Sequence, residues 1–129
     1  MRLYLLRHGD AEDTADRLSD EARALTPTGF DEVRTLARTL RARGESFDLI
    51  WCSSLVRAVQ TAQIVAEGLS YRGPLRALLE LIPGGDPLEA VELARAEGGS
   101  VLLVGHEPQM TYMAAYALGR LRFPPKNAV

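Results

Sequence analysis

The chain has 129 residues, which suits one domain, and its 47% hydrophobic and 25% charged residues are ordinary for a globular protein. A net charge of −2 gives no general attraction to nucleic acid or to an anionic membrane, so neither is an expected partner. Cys52 is the single cysteine, which excludes an internal disulfide, and no apolar run is long enough for a signal peptide or a membrane span. We therefore expect a cytoplasmic protein, monomeric or weakly dimeric, with one domain over residues 1–129.

The first half of the chain predicts two strands, each followed by a helix. Apolar residues 3–6 predict the first strand, which stops at glycine, and an acidic polar loop follows. Thr26 is a typical N-cap before proline, and the helix it begins ends at Gly44. Residues 47–52 predict a second, buried strand, and residues 53–54 are predicted to cap the next helix. The acidic loop residues are Asp10, Glu12, Asp13 and Asp16.

The second half continues the same alternation. Residues 74–81 predict an extended third strand, and Asp86 before proline begins a helix that glycines close at Gly98. Residues 101–104 are apolar and bounded by glycine, which predicts a buried strand, and Pro108 is predicted as the first residue of the last helix. This order favours an α/β fold, a three-layer α/β/α arrangement around a mostly parallel sheet. In such sheets, ligands bind beyond the carboxyl ends of the strands.

The residues directly after these strands are the candidate functional residues. His8 follows the first strand and His106 follows the last, and they are the only two histidines in the chain. Two adjacent parallel strands would bring both imidazoles to the same edge of the sheet. Arg7 precedes His8, and Arg57 lies in the first turn of the helix after the second strand. Guanidinium groups match phosphate oxygens, so this edge is predicted to bind phosphate.

Three segments in this order resemble the histidine phosphatase superfamily, which has the phosphoglycerate mutase-like fold. They are Leu6-Arg7-His8-Gly9, then Ser53-Ser54-Leu55-Val56-Arg57-Ala58-Val59-Gln60-Thr61, and Val104-Gly105-His106-Glu107-Pro108. Three further segments resemble the small SixA-type phosphohistidine phosphatases of that superfamily. They are Arg7-His8-Gly9-Asp10-Ala11, Arg23-Ala24-Leu25-Thr26-Pro27-Thr28-Gly29 and Glu80-Leu81-Ile82-Pro83-Gly84-Gly85-Asp86.

The resemblance implies a covalent mechanism with His8 as the nucleophile. One ring nitrogen of His8 would attack phosphorus while the other donates to a nearby carbonyl, which we expect to be that of Gly9. Arg7, Arg57 and His106 would surround the phosphoryl oxygens. Because these side chains supply the positive charge, we expect neither a metal nor another cofactor. The residues predicted to bind phosphate are Arg7, His8, Gly9, Ser53, Arg57 and His106.

The leaving group decides between possible substrates. Glu80 is the candidate proton donor, and a surface carboxylate is the alternative interpretation of the same residue. A phosphohistidine imidazole leaves with less need for an acid than an alkoxide does, so a phosphohistidine-bearing protein is the favoured substrate. A small phosphorylated molecule, acted on by a phosphomonoesterase of the same superfamily, is the first alternative. A non-catalytic module that binds phosphorylated proteins is the second.

The C-terminal segment departs from the family pattern. Small members usually continue into a further strand where this chain has residues 123–129. The resemblance therefore predicts a domain that lacks a C-terminal strand, as a naturally short chain, as a fragment, or as one completed by a partner.

Overall fold

The structure is a computed structural model and describes residues 1–13 and 19–119. The acidic residue Asp16 and the segment 123–129, for which expectations were given, lie outside these ranges. The strands are β1 (Arg2–Arg7), β2 (Leu49–Cys52), β3 (Leu75–Ala77) and β4 (Ser100–Gly105). The helices are α1 (Pro27–Ala42), α2 (Val56–Gly68), α3 (Pro87–Glu97) and α4 (Gln109–Ala117), with short 3₁₀ helices at Asp20–Ala22 and Leu79–Leu81. In the described ranges, no helix is both long and apolar enough to cross a membrane.

The four strands form one sheet in the order β1-β4-β2-β3, and every neighbouring pair is parallel. The central strand β4 pairs Leu103 with Leu5 on one side and with Trp51 on the other. This confirms the predicted parallel sheet and the predicted adjacency of the first and last strands. Since all strands run in one direction, their carboxyl ends meet at a single edge.

Helices cover both faces of the sheet, which produces the predicted three layers. Successive residues of β4 point to opposite faces, so Leu102 and Val104 join one apolar cluster while Val101 and Leu103 join another. The first cluster contains α1 and α2 side chains such as Val33, Ala58, Ala62 and Val65. The second contains α3 and α4 side chains such as Ala90, Val91, Ala94, Met110 and Met113. Because both faces of the sheet are buried, its polar groups are concentrated at its ends.

The predicted starts of α1 and α3 are confirmed by their capping hydrogen bonds. The Thr26 hydroxyl accepts from the Gly29 N–H at 3.0 Å. The Asp86 carboxylate accepts from the N–H groups of Leu88 and Glu89 at 3.0 and 3.2 Å. Both caps bind N–H groups that would otherwise have no partner within the first turn.

The predicted start of α2 is wrong, because neither Ser53 nor Ser54 caps the helix. Leu55 is the N-cap residue and no side chain caps it. The Ser53 N–H still donates to the Val104 carbonyl at 2.9 Å, so Ser53 extends the strand ladder rather than opening the helix. Pro108 is likewise the N-cap of α4 and not its first residue.

The observed third strand, β3, is shorter than the predicted one, which covered residues 74–81. After β3, the Leu78 N–H makes one more sheet bond, to the Cys52 carbonyl at 2.9 Å. The chain then turns into the 3₁₀ helix Leu79–Leu81, and a Cβ atom on Gly105 would lie 3.3 Å from the Leu81 carbonyl oxygen. The segment after β3 therefore folds back across the sheet edge toward the end of β4.

The start of α1 packs tightly against the loop that follows β1. A Cβ atom at Gly29 would collide with the backbone of Asp10, and one at Gly9 would lie 2.8 Å from Cγ2 of Val33. Glycine at both positions lets the helix approach the loop that carries His8.

Replacement of Gly29 by alanine tests this close approach. Helix propensity alone would stabilise Gly29→Ala by roughly 0.5–1 kcal/mol. We expect the collision with Asp10 to prevail and to lower the free energy of unfolding by about 1–3 kcal/mol. Urea unfolding measures the difference. Thr28→Ala, at the exposed neighbouring position, should change it by less than about 0.5 kcal/mol, and a stabilised Gly29→Ala would contradict the packing.

Candidate active site

The two histidines meet at the carboxyl edge of the sheet, as predicted. The His8 N–H donates to the Gly105 carbonyl at 3.1 Å, so the β1–β4 ladder continues for one residue beyond β1. The His8 and His106 rings lie edge to face with their centroids 4.9 Å apart. The strand pairing therefore determines the separation of the two imidazoles.

One of the two ring nitrogens of His8 carries no proton. Its Nδ1 lies 2.7 Å from the Gly9 carbonyl oxygen, so the N–H at Nδ1 donates to that carbonyl, as predicted. Burial, and then the charges of Arg57 and Arg7, lower the pKa of His8, while the bond to Gly9 opposes the shift. A neutral His8 with its proton on Nδ1 has its electron pair on Nε2. Nε2 is thus the ring atom that is able to act as a nucleophile.

Gly9 holds this arrangement through both of its backbone polar groups. Its carbonyl accepts from His8, and its N–H donates to the Thr61 hydroxyl at 3.2 Å. The Thr61 hydroxyl in turn donates to the Arg57 carbonyl at 2.8 Å. The loop after β1 is thereby fixed to α2. The contact predicted between Gly9 and phosphate remains a prediction.

Arg57 is a buried cation directly beside His8, with 5% of its surface exposed. Its Nε–H donates to His8 Nε2 at 3.3 Å. Its Nη1 donates to the Asp20 carbonyl oxygen at 2.7 Å and its Nη2 to the Asp20 carboxylate at 3.2 Å. Placing Arg57 in the first turn of α2 brings the guanidinium to the sheet edge, where the sequence predicted it.

Arg7 reaches the same region from the end of β1. It is the last residue of that strand, it pairs with Gly105 in the sheet register, and it is exposed. Arg7 and His8 line an open cleft of about 680 Å³. His8 therefore borders solvent-accessible space beside a cation.

His106 is buried and its ring is oriented by Ser53. Its Nε2 lies 2.8 Å from the Ser53 hydroxyl oxygen, which already accepts from the Leu55 N–H at 3.1 Å. Within the described ranges, the only acceptor for the Ser53 hydroxyl proton is that Nε2. Burial, followed by the nearby His8 and Arg57, lowers the pKa of His106 to about 4, so the ring is neutral at pH 7. Neutral His106 then carries its proton on Nδ1.

With Nε2 bonded to Ser53, the Nδ1–H of His106 is left as a hydrogen-bond donor. Nδ1 is buried and has no hydrogen-bond partner among residues 1–13 and 19–119. A buried donor without a partner is costly unless something fills its place. Ser53 itself has no exposed surface, so its hydroxyl faces His106 and not the cleft.

Glu80 lies in the 3₁₀ helix that folds back toward β4. Its side chain is partly exposed and makes no hydrogen bond or ion pair with the described residues. This position is compatible with either interpretation of Glu80, as a proton donor at the rim or as a surface carboxylate.

Asp20 is the residue of this site that the sequence analysis missed. It stands in a stretch that the sequence predicted only as a polar loop, and its contact with Arg57 joins residues 37 positions apart. Arg23, three positions later, also pairs with it, at 2.9 Å. An Asp and an Arg at this spacing are common on protein surfaces, so no signal in the sequence marked Asp20.

The Cys52 thiol and the possible metal ligands are the other chemical groups in this part of the chain. Burial raises the pKa of the Cys52 thiol to about 11, so the thiol is protonated at pH 7. Among the described residues, no group of three or more His, Cys, Asp and Glu side chains is arranged to hold a metal ion. The site as described combines two imidazoles, the guanidinium groups of Arg7 and Arg57, and the carboxylate of Asp20.

Known proteins share this arrangement of sequence and fold. The phosphohistidine phosphatase SixA of Escherichia coli K12 is 34% identical over 119 residues, which cover 89% of this chain and 73% of the relative. A solved structure of the protein histidine phosphatase SixA with tungstate superimposes with a TM-score of 0.79 at 33% identity, covering 89% of this chain and 75% of that one.

A more distant structure extends the similarity to the fold alone. Phosphoglycerate mutase of Plasmodium falciparum superimposes with a TM-score of 0.68 at 19% identity, covering 91% of this chain and 68% of that one. Residues 3–82 match the histidine phosphatase superfamily (branch 1) as a family. This family match runs from β1 to the 3₁₀ helix after β3, which is more than half of the chain. The chain therefore belongs to the histidine phosphatase superfamily.

Proposed function

We propose that this protein removes the phosphoryl group from phosphohistidine on a protein substrate, through a covalent phosphoryl intermediate on His8. The observation that carries the proposal is the electron pair on His8 Nε2, held between the guanidinium of Arg57 and the buried His106. The similar SixA protein of Escherichia coli is named a phosphohistidine phosphatase, which supports the same substrate class here.

In the first step, His8 Nε2 attacks phosphorus as the P–N bond to the substrate imidazole breaks. The substrate imidazole enters this step with a proton from solvent on its other ring nitrogen, so it keeps that proton and leaves as a neutral ring. In the second step, a water oxygen attacks phosphorus, the bond to Nε2 breaks, and inorganic phosphate and free His8 are formed. Arg7 and Arg57, with the Nδ1–H of His106, would balance the charge on the phosphoryl oxygens. With that charge supplied by side chains, the proposed reaction needs no metal.

The direct test compares two substrates in the presence of excess EDTA. A histidine-containing protein phosphorylated with phosphoramidate should lose phosphate faster than p-nitrophenyl phosphate does, and EDTA should leave both rates unchanged. His8→Ala should abolish turnover and the acid-labile phosphoenzyme, because it removes the attacking atom. A phosphoenzyme that persists in His8→Ala would refute the mechanism, as would a rate that EDTA removes and a divalent ion restores.

Ser53→Ala tests the assignment of the His106 proton. Without the Ser53 hydroxyl, Nε2 of His106 loses its donor, the proton is no longer confined to Nδ1, and the donor to the phosphoryl group is lost for part of the time. We expect phosphate release to slow by roughly 10-fold to 100-fold, less than the loss of an entire oxyanion donor. Ser54→Ala is the matched control, since Ser54 is exposed, and it should retain the wild-type rate. Equal rates in both variants would mean that Ser53 does not orient His106.

Glu80→Gln separates phosphohistidine from phosphate esters as the preferred substrate. Proton donation helps in proportion to how poor the leaving group is, so the change should affect phosphohistidine little and an alkyl phosphate more. Phosphate release from both substrates is the measurement. If neither rate changes, Glu80 is a surface carboxylate. A large and equal loss on both would contradict the leaving-group argument and favour a small-molecule phosphomonoesterase.

A further inference from the structure

One charged group in the site is not used by the proposed reaction, and it is the carboxylate of Asp20. Asp20 begins the 3₁₀ helix Asp20–Ala22, and both its backbone carbonyl and its side chain accept hydrogen bonds from Arg57. The two contacts come from different nitrogens, Nη1 at 2.7 Å and Nη2 at 3.2 Å. Asp20 therefore binds the guanidinium by two points.

A guanidinium group is planar and can offer a bidentate edge in more than one direction. Nη1 and Nη2 form its end edge, while Nε and Nη2 form its side edge. Asp20 occupies the end edge of Arg57. On the side edge, the Nε–H points to His8 Nε2 at 3.3 Å. Because the group is rigid, holding the end edge also fixes the direction of the side edge, which faces the atom proposed to carry the phosphoryl group.

Asp20 is itself held in place by a second arginine. Its Oδ1 accepts from Arg23 Nη1 at 2.9 Å, which leaves Oδ2 for Arg57. The Arg23 Nε–H donates to the Glu12 carbonyl, and the Ala24 N–H donates to the Glu12 carboxylate. The loop before α1 thus holds Asp20 through Arg23, at the carboxylate oxygen that Arg57 does not use. The same two arginines, Arg23 first, lower the pKa of Asp20, so this carboxylate is a poor proton donor.

We propose that Asp20 is a positioning residue that aims the Nε–Nη2 edge of Arg57 at the phosphoryl group on His8. This inference rests on the proposed function, in which the intermediate forms at His8 Nε2. About half of the Asp20 side chain is exposed, at 51%, whereas only 6% of the Arg57 side chain is exposed. Solvent weakens the charge attraction of such a pair, so the role of Asp20 is to direct Arg57 more than to stabilise the fold.

The test compares Asp20→Ala with Asp20→Asn in the full chain. Both variants remove the negative charge and keep the backbone carbonyl, but only Asn retains a side-chain oxygen that can accept from Nη2. Phosphate release should fall roughly 10-fold to 100-fold in Asp20→Ala, as expected for a misplaced catalytic group. Asp20→Asn should remain within about threefold of wild type, since a neutral acceptor keeps the geometry with a weaker bond. Equal rates in the two variants would overturn the proposal.

A double-mutant cycle with Arg57→Ala shows whether Asp20 acts through Arg57. Once Arg57 is absent, Asp20→Ala should change the remaining rate by less than about twofold, because interacting residues are not additive. An undiminished loss in that background would overturn the proposal and assign Asp20 a role independent of Arg57. Asp31→Ala, which removes an exposed Asp–Arg pair with Arg34, is the control and should retain the wild-type rate.

A binding measurement separates this inference from the proposed function. Calorimetric titration with inorganic phosphate needs no turnover, so it applies even if His8 forms no phosphoenzyme. Asp20→Asn should bind phosphate several-fold more tightly than Asp20→Ala, because the two proteins have the same charge and differ in the aim of Arg57. Equal affinities would refute the positioning role. Absence of a phosphoenzyme in the wild type would refute the proposed function alone.

Discussion

The parallel pairing of β1 with β4 is the constraint on which the rest of the site depends. It places Arg7 opposite Gly105 and ties the His8 N–H to the Gly105 carbonyl. The residue after each of these two strands is therefore held at a defined position beyond the carboxyl edge of the sheet. The same edge receives Ser53 through its bond to Val104. Backbone hydrogen bonds therefore place His8, and also the hydroxyl that orients the second imidazole, that of His106. Side chains then need only adopt their rotamers to complete the site.

Burial and positive charge act together on the two imidazoles. Burial is the largest cause of the lowered pKa of both His8 and His106, and Arg57 contributes to each. A neutral imidazole retains an electron pair, which a nucleophile requires, whereas a protonated ring could not attack phosphorus. The arginines that would bind the phosphoryl oxygens thus add to the effect of burial, and both favour the unprotonated His8 that the proposed mechanism requires. Two requirements of the chemistry are met by one placement of charge.

The residues that follow strands could be predicted from the sequence, because apolar runs and glycines mark strand ends and the parallel rule brings those ends together. His8, His106 and Arg57 were placed on this basis. Ser53 was taken for a helix cap because serine before a helix is typical of one, but its hydroxyl bonds to His106. Asp20 could not be found, since its contact depends on the path of the loop before α1, which local sequence does not determine.

Arg57 makes a set of hydrogen bonds that a lysine at the same position could not make. Its three nitrogens have different partners in the free protein: Nε donates to His8, Nη1 to the Asp20 carbonyl and Nη2 to the Asp20 carboxylate. A lysine would supply the same charge at a single atom and could not be held at one edge while offering another. The planar group lets the protein fix the orientation of the cation through Asp20 while its Nε–H is directed at His8. Arginine and lysine would supply the same charge at position 57, so the reason for arginine is the geometry of its hydrogen bonds.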